Sequence, residues 1–472
     1  MITFRIRSHH ILPVVMLGCG LLPAPAQAQF TQQGPKLVGT GAVFVAEQGV
    51  SVALSGDGNT AIVGGFDDDN EVGAVWVYTR SGGGWSQQGS KLLATGAIGP
   101  YGGALGISVS LSSDGNTAII GGYADNDLAG AAWVYTRSAG VWSQQAKLVG
   151  TGAVGPFGAQ QGYSVSLSSD GNTAILGGPL DNTNAGAAWV FTRSGAVWSQ
   201  QGAKLVGTGA VGPYGFGAEQ GWSVSLSANG NTAIVGGLID NDFAGAAWVF
   251  TRSGGVWSQQ GAKLVGTGAK GSAFQGSSVS LSGDGNTAIV GGYRDNGDVG
   301  AAWVYARSGG VWSQQGMKLV GMGAAGPFDP YGQGVSVSLS GDGNTAIVGG
   351  EGDNGSAGAA WVYTSSGGVW SQLGPKLVGT GAIGKAQQGS SVALSADGTT
   401  AIVGGYGDNG FAGAAWVYTQ PAFAGTPGKA NCYGKSVSAL AGQYGGLNAA
   451  AAALGFPSLP ALQNAILAFC GG

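Results

Sequence analysis

Four short stretches of patterned hydrophobic and polar residues recur along the chain, always in the same order. In the copy over residues 276–320, SVSLS alternates Ser with Val and Leu, and TAIVGG is a short β-branched apolar run. AAWVY then alternates small and large residues, and VWSQQGMKLV completes the unit. Such alternation and such runs are typical of β-strands. The turn sequences DGN, DN with glycines, and SGG separate the stretches, so each unit predicts four antiparallel strands.

The unit is repeated seven times at a nearly constant interval. The Ser that opens each SVxLS stretch recurs at spacings of 57, 56, 59, 55, 58 and 55 residues. Regular repetition of one supersecondary unit is the signature of a repeat architecture, and four antiparallel strands per repeat are typical of a propeller blade. The sequence therefore predicts an all-β, seven-bladed β-propeller. The opening serines are Ser51, Ser108, Ser164, Ser223, Ser278, Ser336 and Ser391.

The two ends of the repeat region are complementary. The seventh unit stops after its third stretch, WVYTQP, at residues 416–421. The missing fourth stretch occurs near the start of the chain instead, as FTQQGPKLVG at residues 30–39, with Phe30 in place of Trp. We therefore expect the N-terminal strand to complete the last blade and close a ring, which removes exposed sheet edges. The propeller is predicted to span residues 30–421.

The repeat resembles FG-GAP repeats, the blades of integrin α-subunit propellers and of many bacterial surface proteins. The resemblance rests on GxSVSLSxDGNTAIVGG followed by GAAWVYTR and covers residues 30 to about 421. It implies an extracellular binding or adhesion propeller, often with calcium between the first two strands. A kelch-type propeller is the alternative, because Gly64, Gly65, Tyr78 and Trp85 also fit that pattern. The longer period and the SVxLS strand favour FG-GAP.

Thirteen of the 14 tryptophans occupy two fixed places in the unit. We interpret them as core residues between neighbouring blades, since large Trp opposite Ser, Ala and Gly fills a tapered interior. A platform of stacked Trp that binds ligand is the alternative. The third-strand set, Trp76, Trp133, Trp189, Trp248, Trp303, Trp361 and Trp416, is expected to be buried; Trp85, Trp142, Trp198, Trp257, Trp312 and Trp370 open the fourth strands.

Residues 1–28 have the features of a secretory signal peptide. Arg5 and Arg7 give a basic start, residues 11–22 form a short apolar run, and residues 26–28 (Ala-Gln-Ala) offer a cleavage site. The segment predicts a secreted protein in the periplasm, at the cell surface or in the exterior. An imperfect lipoprotein-type site at residues 16–19 is the alternative, and it would attach lipid to Cys19.

Removal of this signal changes the charge and the available chemistry. It deletes both histidines, His9 and His10, and two of the 19 basic residues, leaving 17 against 23 acidic residues and a net charge of −6. Phosphate binding needs a basic surface, so nucleic acid is not an expected partner. No later stretch is apolar enough to predict a transmembrane helix.

The pattern changes after the propeller. Residues 422–434 form a Gly- and Pro-containing linker, and residues 435–472 predict a small α-helical module, with apolar residues at helical spacing. Cys432 and Cys470 bracket this segment and are expected to pair in an oxidising compartment. A bridge across such a loop stabilises a small core by roughly 3–4 kcal/mol.

One Asp recurs in the DGN turn between the first two strands, where FG-GAP blades often bind calcium. A single carboxylate within a three-residue turn is too few, because calcium takes several oxygen ligands. We interpret DGN as tight-turn chemistry and expect no metal or cofactor. The residues are Asp57, Asp114, Asp170, Asp284, Asp342 and Asp397, with Asn229 in the fourth unit.

A second Asp follows the second strand in every unit. Propeller topology brings this turn to the same face as the blade-to-blade connections. One interpretation is Asx-turns; the other is a ring of carboxylates near the central channel that binds a cation or a basic ligand group. The candidates are Asp68, Asp125, Asp181, Asp240, Asp295, Asp353 and Asp408.

The connections between blades vary more than the strands and are rich in aromatic residues. Variable aromatic loops on a rigid scaffold commonly carry recognition, here of sugars or protein surfaces. The alternative is that these residues fill gaps beneath the loops. The candidates are Tyr101, Phe157, Tyr214, Phe216, Trp222, Phe328 and Tyr331.

Catalysis has little support in the sequence. Without histidine, the predicted mature chain lacks a Ser-His or Cys-His arrangement and His-ligated transition metals. A two-carboxylate glycosidase mechanism stays open on composition. We therefore predict a non-enzymatic binding or adhesion module for an extracellular protein or glycan. A carbohydrate-processing enzyme and a passive envelope or matrix component are the alternatives.

Overall fold

Seven four-stranded antiparallel sheets surround one axis, as the repeat predicts. The computed structural model describes residues 29–99, 102–155, 158–213, 216–326, 331–420, 429–453, 456 and 458–470. The segment predicted to be a signal peptide lies outside these residues. Within six blades the strands follow one another in chain order, so every neighbouring pair is a hairpin, and in the seventh the N-terminal strand takes the outer place.

The strands have closely matching bounds in all blades. The first strands are Ser51–Leu54, Ser108–Leu111, Ser164–Leu167, Ser223–Leu226, Ser278–Leu281, Ser336–Leu339 and Ser391–Leu394. The second strands are Thr60–Gly65, Thr117–Gly122, Thr173–Gly178, Thr232–Gly237, Thr287–Gly292, Thr345–Gly350 and Thr400–Gly405. The third strands are Ala74–Ser81, Ala131–Ser138, Ala187–Ser194, Ala246–Ser253, Ala301–Ser308, Ala359–Ser366 and Ala414–Thr419. The fourth strands are Gly84–Gln87, Val141–Leu148, Val197–Gln200, Val256–Gln259, Val311–Gln314 and Val369–Gln372, with Thr31–Gln32 in the last blade.

The N-terminal strand closes the ring, which confirms the predicted offset. Thr31 pairs with Thr419 and Gln32 with Tyr418 in antiparallel register. Further along, Leu37 and Ala415 exchange two backbone hydrogen bonds of 2.7 and 3.0 Å. The last blade is therefore built from both ends of the repeat region.

The first strands lie innermost, and a cyclic chain of hydrogen bonds joins their ends. The residue that follows each SVxLS stretch donates its N–H to the carbonyl of the matching residue in the next blade, at 2.8–3.0 Å. The seventh of these bonds returns from Ala396 to Gly56, so the ring is continuous. This ring lies on the face that carries the DGN and SGG turns, which we call the hairpin face. The opposite face, with the second-to-third turns and the blade-to-blade connections, is the connection face.

Tryptophan fills the space between blades, as predicted. Each third-strand Trp is 0% exposed. Trp189, for example, packs with Ile119, Val134 and Leu148 of the preceding blade. Its indole N–H donates to the carbonyl of Thr151 in the incoming connection at 2.8 Å. Burial of so large a side chain in every blade joins the sheets into one core.

The fourth-strand tryptophans are partly buried and bridge neighbouring blades at the periphery. Trp198 donates its indole N–H to the side chain of Gln145 in the preceding blade at 3.0 Å. Arg193 lies over the Trp198 ring, with its guanidinium carbon 5.4 Å from the ring centre. The same arrangement recurs at four other blades, whereas Ser365 replaces the Arg beside Trp370. These tryptophans are structural rather than an open platform.

Three helices form the C-terminal module: Cys432–Tyr444, Leu447–Ala453 and Leu459–Cys470. The predicted disulfide between Cys432 and Cys470 is present, with 5.6 Å between the Cα atoms. Leu440, Leu462 and Ile466 form its buried centre. The first helix begins at Cys432, three residues before the predicted start of the module, because the bridged cysteine belongs to the helical core.

Candidate functional site

The seven aspartates after the second strands are buried rather than displayed as an open acidic ring. Each is at most 1% exposed. Each carboxylate pairs with the lysine of the KL sequence in the fourth stretch of its own blade, which in most blades lies four residues beyond the end of the fourth strand. Lys204 and Asp181, for example, are 2.5 Å apart. The partners are Lys91, Lys147, Lys204, Lys263, Lys318, Lys376 and, for Asp408, Lys36 of the N-terminal strand.

The second oxygen of each aspartate holds the incoming connection. Asp181 accepts the backbone N–H of Val154 at 2.8 Å, and Asp240 accepts that of Val211 at 2.8 Å. The same bond recurs in every blade at 2.7–2.8 Å. Both oxygens are therefore occupied within the protein, so these aspartates join a turn, a strand and a connection beneath the surface. They do not form the Asx-turns that were one interpretation of the sequence.

The turn that starts at each of these aspartates is left-handed. In the second blade, Asn126, Asp127 and Leu128 have φ of 51°, 55° and 65°. Asn, Asp and Gly tolerate this region best, which explains the Asn that follows six of the seven aspartates and the Asp69 that follows Asp68. The turns are Asp68–Glu71, Asp125–Leu128, Asp181–Asn184, Asp240–Phe243, Asp295–Asp298, Asp353–Ser356 and Asp408–Phe411.

The DGN turns on the hairpin face have the tight-turn chemistry that was predicted. Asp57 accepts the backbone N–H of Asn59 at 2.9 Å and the hydroxyl of Ser55 at 2.5 Å. Burial opposes ionisation of Asp57, but the hydrogen bonds from Ser55 and Asn59 outweigh it and lower its pKa. In the described part of the chain, no group of three or more His, Cys, Asp or Glu side chains could hold a metal ion.

The predicted aromatic residues have different surroundings. Trp222 is half-buried and packs on Tyr163, with 4.7 Å between ring centres. Tyr331 is 36% exposed and contacts Tyr293 edge-on at 4.6 Å. Phe216 is 52% exposed. Tyr101, Phe157, Tyr214 and Phe328 lie outside the described residues.

Trp222 and Tyr331 belong to an aromatic lining where the innermost strands reach the connection face. One group comprises Tyr123, Tyr163 and Trp222, and the other Phe274, Tyr293 and Tyr331; neighbouring ring centres within each are 4.6–6.0 Å apart. Most of these residues directly precede a first strand or directly follow a second strand. They therefore stand at the opening of the central channel. We call this opening the mouth. Its aromatic residues are Tyr123, Tyr163, Trp222, Phe274, Tyr293, Tyr331 and Tyr406, and its acidic residues are Glu47, Glu219 and Glu351.

The two groups face a common space. Burial raises the pKa of Tyr163 in the third blade, and the next contributions come from Glu219, Tyr123, Tyr331 and Tyr293. Tyr331 and Tyr293 lie in the sixth and fifth blades, so their electrostatic influence crosses the ring. The mouth is thus one site formed by several blades.

One side of the mouth is acidic. Burial, followed by the charge of Asp67, raises the pKa of Glu47 to about 7. Burial raises the pKa of Glu351 to about 8, although the Tyr406 hydroxyl donates a hydrogen bond to it at 3.4 Å. Burial also raises the pKa of Glu219, against a hydrogen bond from Asn184. A desolvated carboxyl group is costly to ionise, so the mouth favours a ligand that supplies positive charge or hydrogen bonds.

Sequence reasoning identified Trp222 and Tyr331 but missed Tyr123, Tyr163, Tyr293, Tyr406 and the role of the glutamates. A signal was present, because the mouth occupies the places where the copies differ. The position before the first strand is Tyr163 or Trp222 in two blades, but Ser277 and Ser390 in two others. Elsewhere in the repeat the copies are nearly identical.

Comparison with family models and with curated proteins found no relative of this chain. None of the helices within the described residues combines the length and apolar character needed to span a membrane.

Proposed function

We propose that this protein is a secreted or cell-surface binding module whose mouth takes a protein or glycan ligand without catalysis. The observation that supports this most is the aromatic lining at the inner ends of otherwise uniform blades. A ring of identical blades needs no such variation for stability, since Ser277 and Ser390 fill the place of Trp222 in other blades. Concentrated variation on a rigid scaffold is typical of a recognition surface.

The aromatic residues suit a ligand that carries both apolar faces and hydroxyl groups. Tyr163 and Trp222 offer adjoining ring surfaces, and the tyrosine hydroxyls add hydrogen-bonding groups beside them. Aromatic residues bury much area at low entropic cost and dominate binding hot spots. An extracellular place of action and a role in adhesion follow from the predicted signal peptide and the FG-GAP resemblance, and they are part of this proposal.

A glycan array and an extracellular-protein array, probed with the mature propeller, test the proposal. The matched variant is Trp222→Ser, because Ser277 and Ser390 occupy the equivalent position. We expect binding to a restricted ligand set, weakened about tenfold or more by the variant, since a hot-spot aromatic contributes about 2 kcal/mol or more. Ligands bound equally by both forms would place recognition elsewhere. No binding on either array would favour a passive envelope component.

A carbohydrate-processing activity is the second candidate, and the acidic side of the mouth favours it. A glycosidase needs a carboxyl group that stays protonated near neutral pH to act as acid, together with a second carboxylate. Glu351 and Glu47 have raised pKa values and both influence Tyr406. Incubation with each glycan bound on the array, followed by product analysis, distinguishes binding from cleavage. Cleavage that is lost in Glu351→Gln would establish the enzyme.

A further inference from the structure

The mouth is divided into an acidic half and an aromatic half. Glu351, Tyr406, Glu47 and Tyr123 follow one another through the sixth, seventh, first and second blades. The aromatic half, which includes Trp222 and Tyr293, extends from the third blade to the sixth. Such a division suits a ligand with a positive group at one end and a ring at the other.

The carboxyl groups of the acidic half make few hydrogen bonds within the protein. Glu47 is half-buried, and among the described residues its carboxyl group is influenced by burial and by the nearby Asp67, with no hydrogen bond. Glu351 is 3% exposed, and its hydrogen bond from Tyr406 is long, at 3.4 Å. Glu351 is buried with one long hydrogen bond, and Glu47 is only half-buried, so each carboxyl group can accept a further hydrogen bond from a ligand.

The charges around these two groups are all acidic or phenolic. Tyr406 is influenced by Glu351, Glu47 and Tyr331, besides a hydrogen bond from Gln387. Tyr123 is influenced by Glu71, Asp67 and Glu47. Among the described residues no lysine or arginine acts on these two tyrosines. The nearest lysine along the chain, Lys385, lines the adjoining pocket with Gln387 and Phe411. A cationic ligand group would relieve the repulsion and gain contact with tyrosine faces.

The lining favours an ammonium group on a sugar over a metal ion or a lysine side chain. Hard metal ions take six or more oxygen ligands, which Glu47 and Glu351 cannot supply. A lysine presents one ammonium group on a flexible apolar stem and offers no hydroxyl groups to the tyrosine hydroxyls of the mouth. A sugar ring has an apolar face for Trp222 and hydroxyl groups for these polar partners.

We propose that the mouth binds an amino sugar within a glycan, its ammonium group beside Glu47 and Tyr406 and its neighbouring rings against Tyr163 and Trp222. This inference rests on the proposed binding function and names its ligand class. Binding of the ammonium group would stabilise the ionised form of Glu47. Glu47 therefore releases a proton when the amino sugar binds at about pH 6, where the carboxyl group is still largely uncharged and the sugar amine is already protonated.

Calorimetry at about pH 6, where the sugar amines are protonated, tests this inference with three probes. The probes are a glucosamine tetramer, an N-acetylglucosamine tetramer and tetralysine. The matched variant is Glu47→Gln, because Gln160 and Gln387 occupy the equivalent position with φ of 54°, close to the 52° of Glu47. Asp57→Asn on the hairpin face is the control, because Asn229 fills the same position in the fourth blade. Measurement in two buffers of different ionisation enthalpy gives the number of protons released.

We expect the glucosamine tetramer to bind best, to release protons, and to lose about tenfold in affinity in Glu47→Gln, the effect of one charge-assisted contact. Asp57→Asn should change this affinity less than about twofold, because Asp57 lies on the opposite face of the propeller. Equal, Trp222-dependent binding of both tetramers would overturn the amino-sugar inference and leave the binding function intact. Preferential binding of tetralysine would overturn it in favour of a basic peptide. If no ligand bound in a Trp222-dependent way on the arrays and no probe bound in the calorimetry, the binding function itself would be contradicted.

Discussion

Lys36 on the N-terminal strand and Asp408 in the last blade form an ion pair of 2.5 Å. The two residues are 372 positions apart, whereas the equivalent Lys204 and Asp181 are separated by only 23. The same Lys–Asp ion pair therefore has two structural roles. Within six blades it fixes a turn to its own sheet, and in the seventh it also joins the ends of the propeller.

The first prediction concerns this closure. Lys36→Met should release the N-terminal strand, because the loss of the pair leaves Asp408 buried without its counter-charge. We expect faster proteolytic cleavage near residues 30–40 than in the parent protein. Lys204→Met removes the same contact within one blade and serves as the control. Equal protection of the N-terminal strand in both variants would show that the pair does not secure the closure.

The second prediction compares a buried with an exposed ion pair. Asp240 is 0% exposed, and Asp240→Asn leaves Lys263 without its counter-charge. We expect this variant to lose about 3 kcal/mol or more of unfolding free energy. Asp298→Asn breaks the Arg294 pair, whose side chains are 47% and 36% exposed, and should cost less than about 1 kcal/mol. Denaturant unfolding of both variants checks the difference. Similar costs would contradict the structural role of the buried aspartates.

The third prediction concerns buried tyrosine hydroxyls on the third strands. The Tyr135 hydroxyl donates to the carbonyl of Leu93 at 2.8 Å, whereas that of Tyr305 has no hydrogen-bond partner among the described residues. Tyr135→Phe should therefore lower stability by about 1 kcal/mol, and Tyr305→Phe should leave it unchanged or raise it. Phe191 and Phe250 already occupy this position in two blades. Thermal unfolding midpoints of the two variants provide the test.

The fourth prediction is a pH dependence caused by Glu351. Its pKa is near 4.5 in the unfolded chain and about 8 in the folded protein, so the folded state holds the proton more tightly. The contribution of Glu351 to the free energy of unfolding is fully present below pH 4.5, and it is lost as the pH rises through 8. Between pH 5 and 8.5 the parent should lose stability relative to Glu351→Gln, on the order of 4 kcal/mol.

Asp57→Asn is the control for this pH dependence. The pKa of Asp57 is lowered, so its carboxylate is ionised in both folded and unfolded states above pH 5. Asn229 also fills this position naturally in the fourth blade. The difference between this variant and the parent should stay constant from pH 5 to 8.5. A Glu351→Gln difference that stays equally constant would mean that Glu351 is ionised in the folded protein.

Strand number, order and ring closure could be predicted because the sequence repeats them seven times. Burial of the aspartates could not be predicted from the turn alone. The partner of Asp181 is Lys204, 23 residues away in the fourth stretch of its blade, and the recurrent KLV sequence was not linked to it. Pairing each recurrent Asp with a recurrent Lys would have suggested an ion pair in place of a ligand site.

The mouth was the least predictable part of the molecule. It combines single residues from the ends of first and second strands in different blades, such as Tyr163 and Tyr293. No local pattern connects them, because their proximity comes only from the circular arrangement. Their common feature in the sequence is that they occupy places where the copies vary: the residue after the second strand, for example, is Tyr in three copies and Phe, Pro, Leu or Glu in the others.

Hydrogen–deuterium exchange of the propeller, with and without the glucosamine tetramer, tests most directly whether the mouth is the binding site. Ligand should slow exchange at amides beside the mouth, around residues 47–50, 163 and 219–222. The DGN turns, such as that of Asp57 on the hairpin face, should exchange equally in both states. Protection confined to the hairpin face or to the C-terminal helices would contradict a binding site at the mouth.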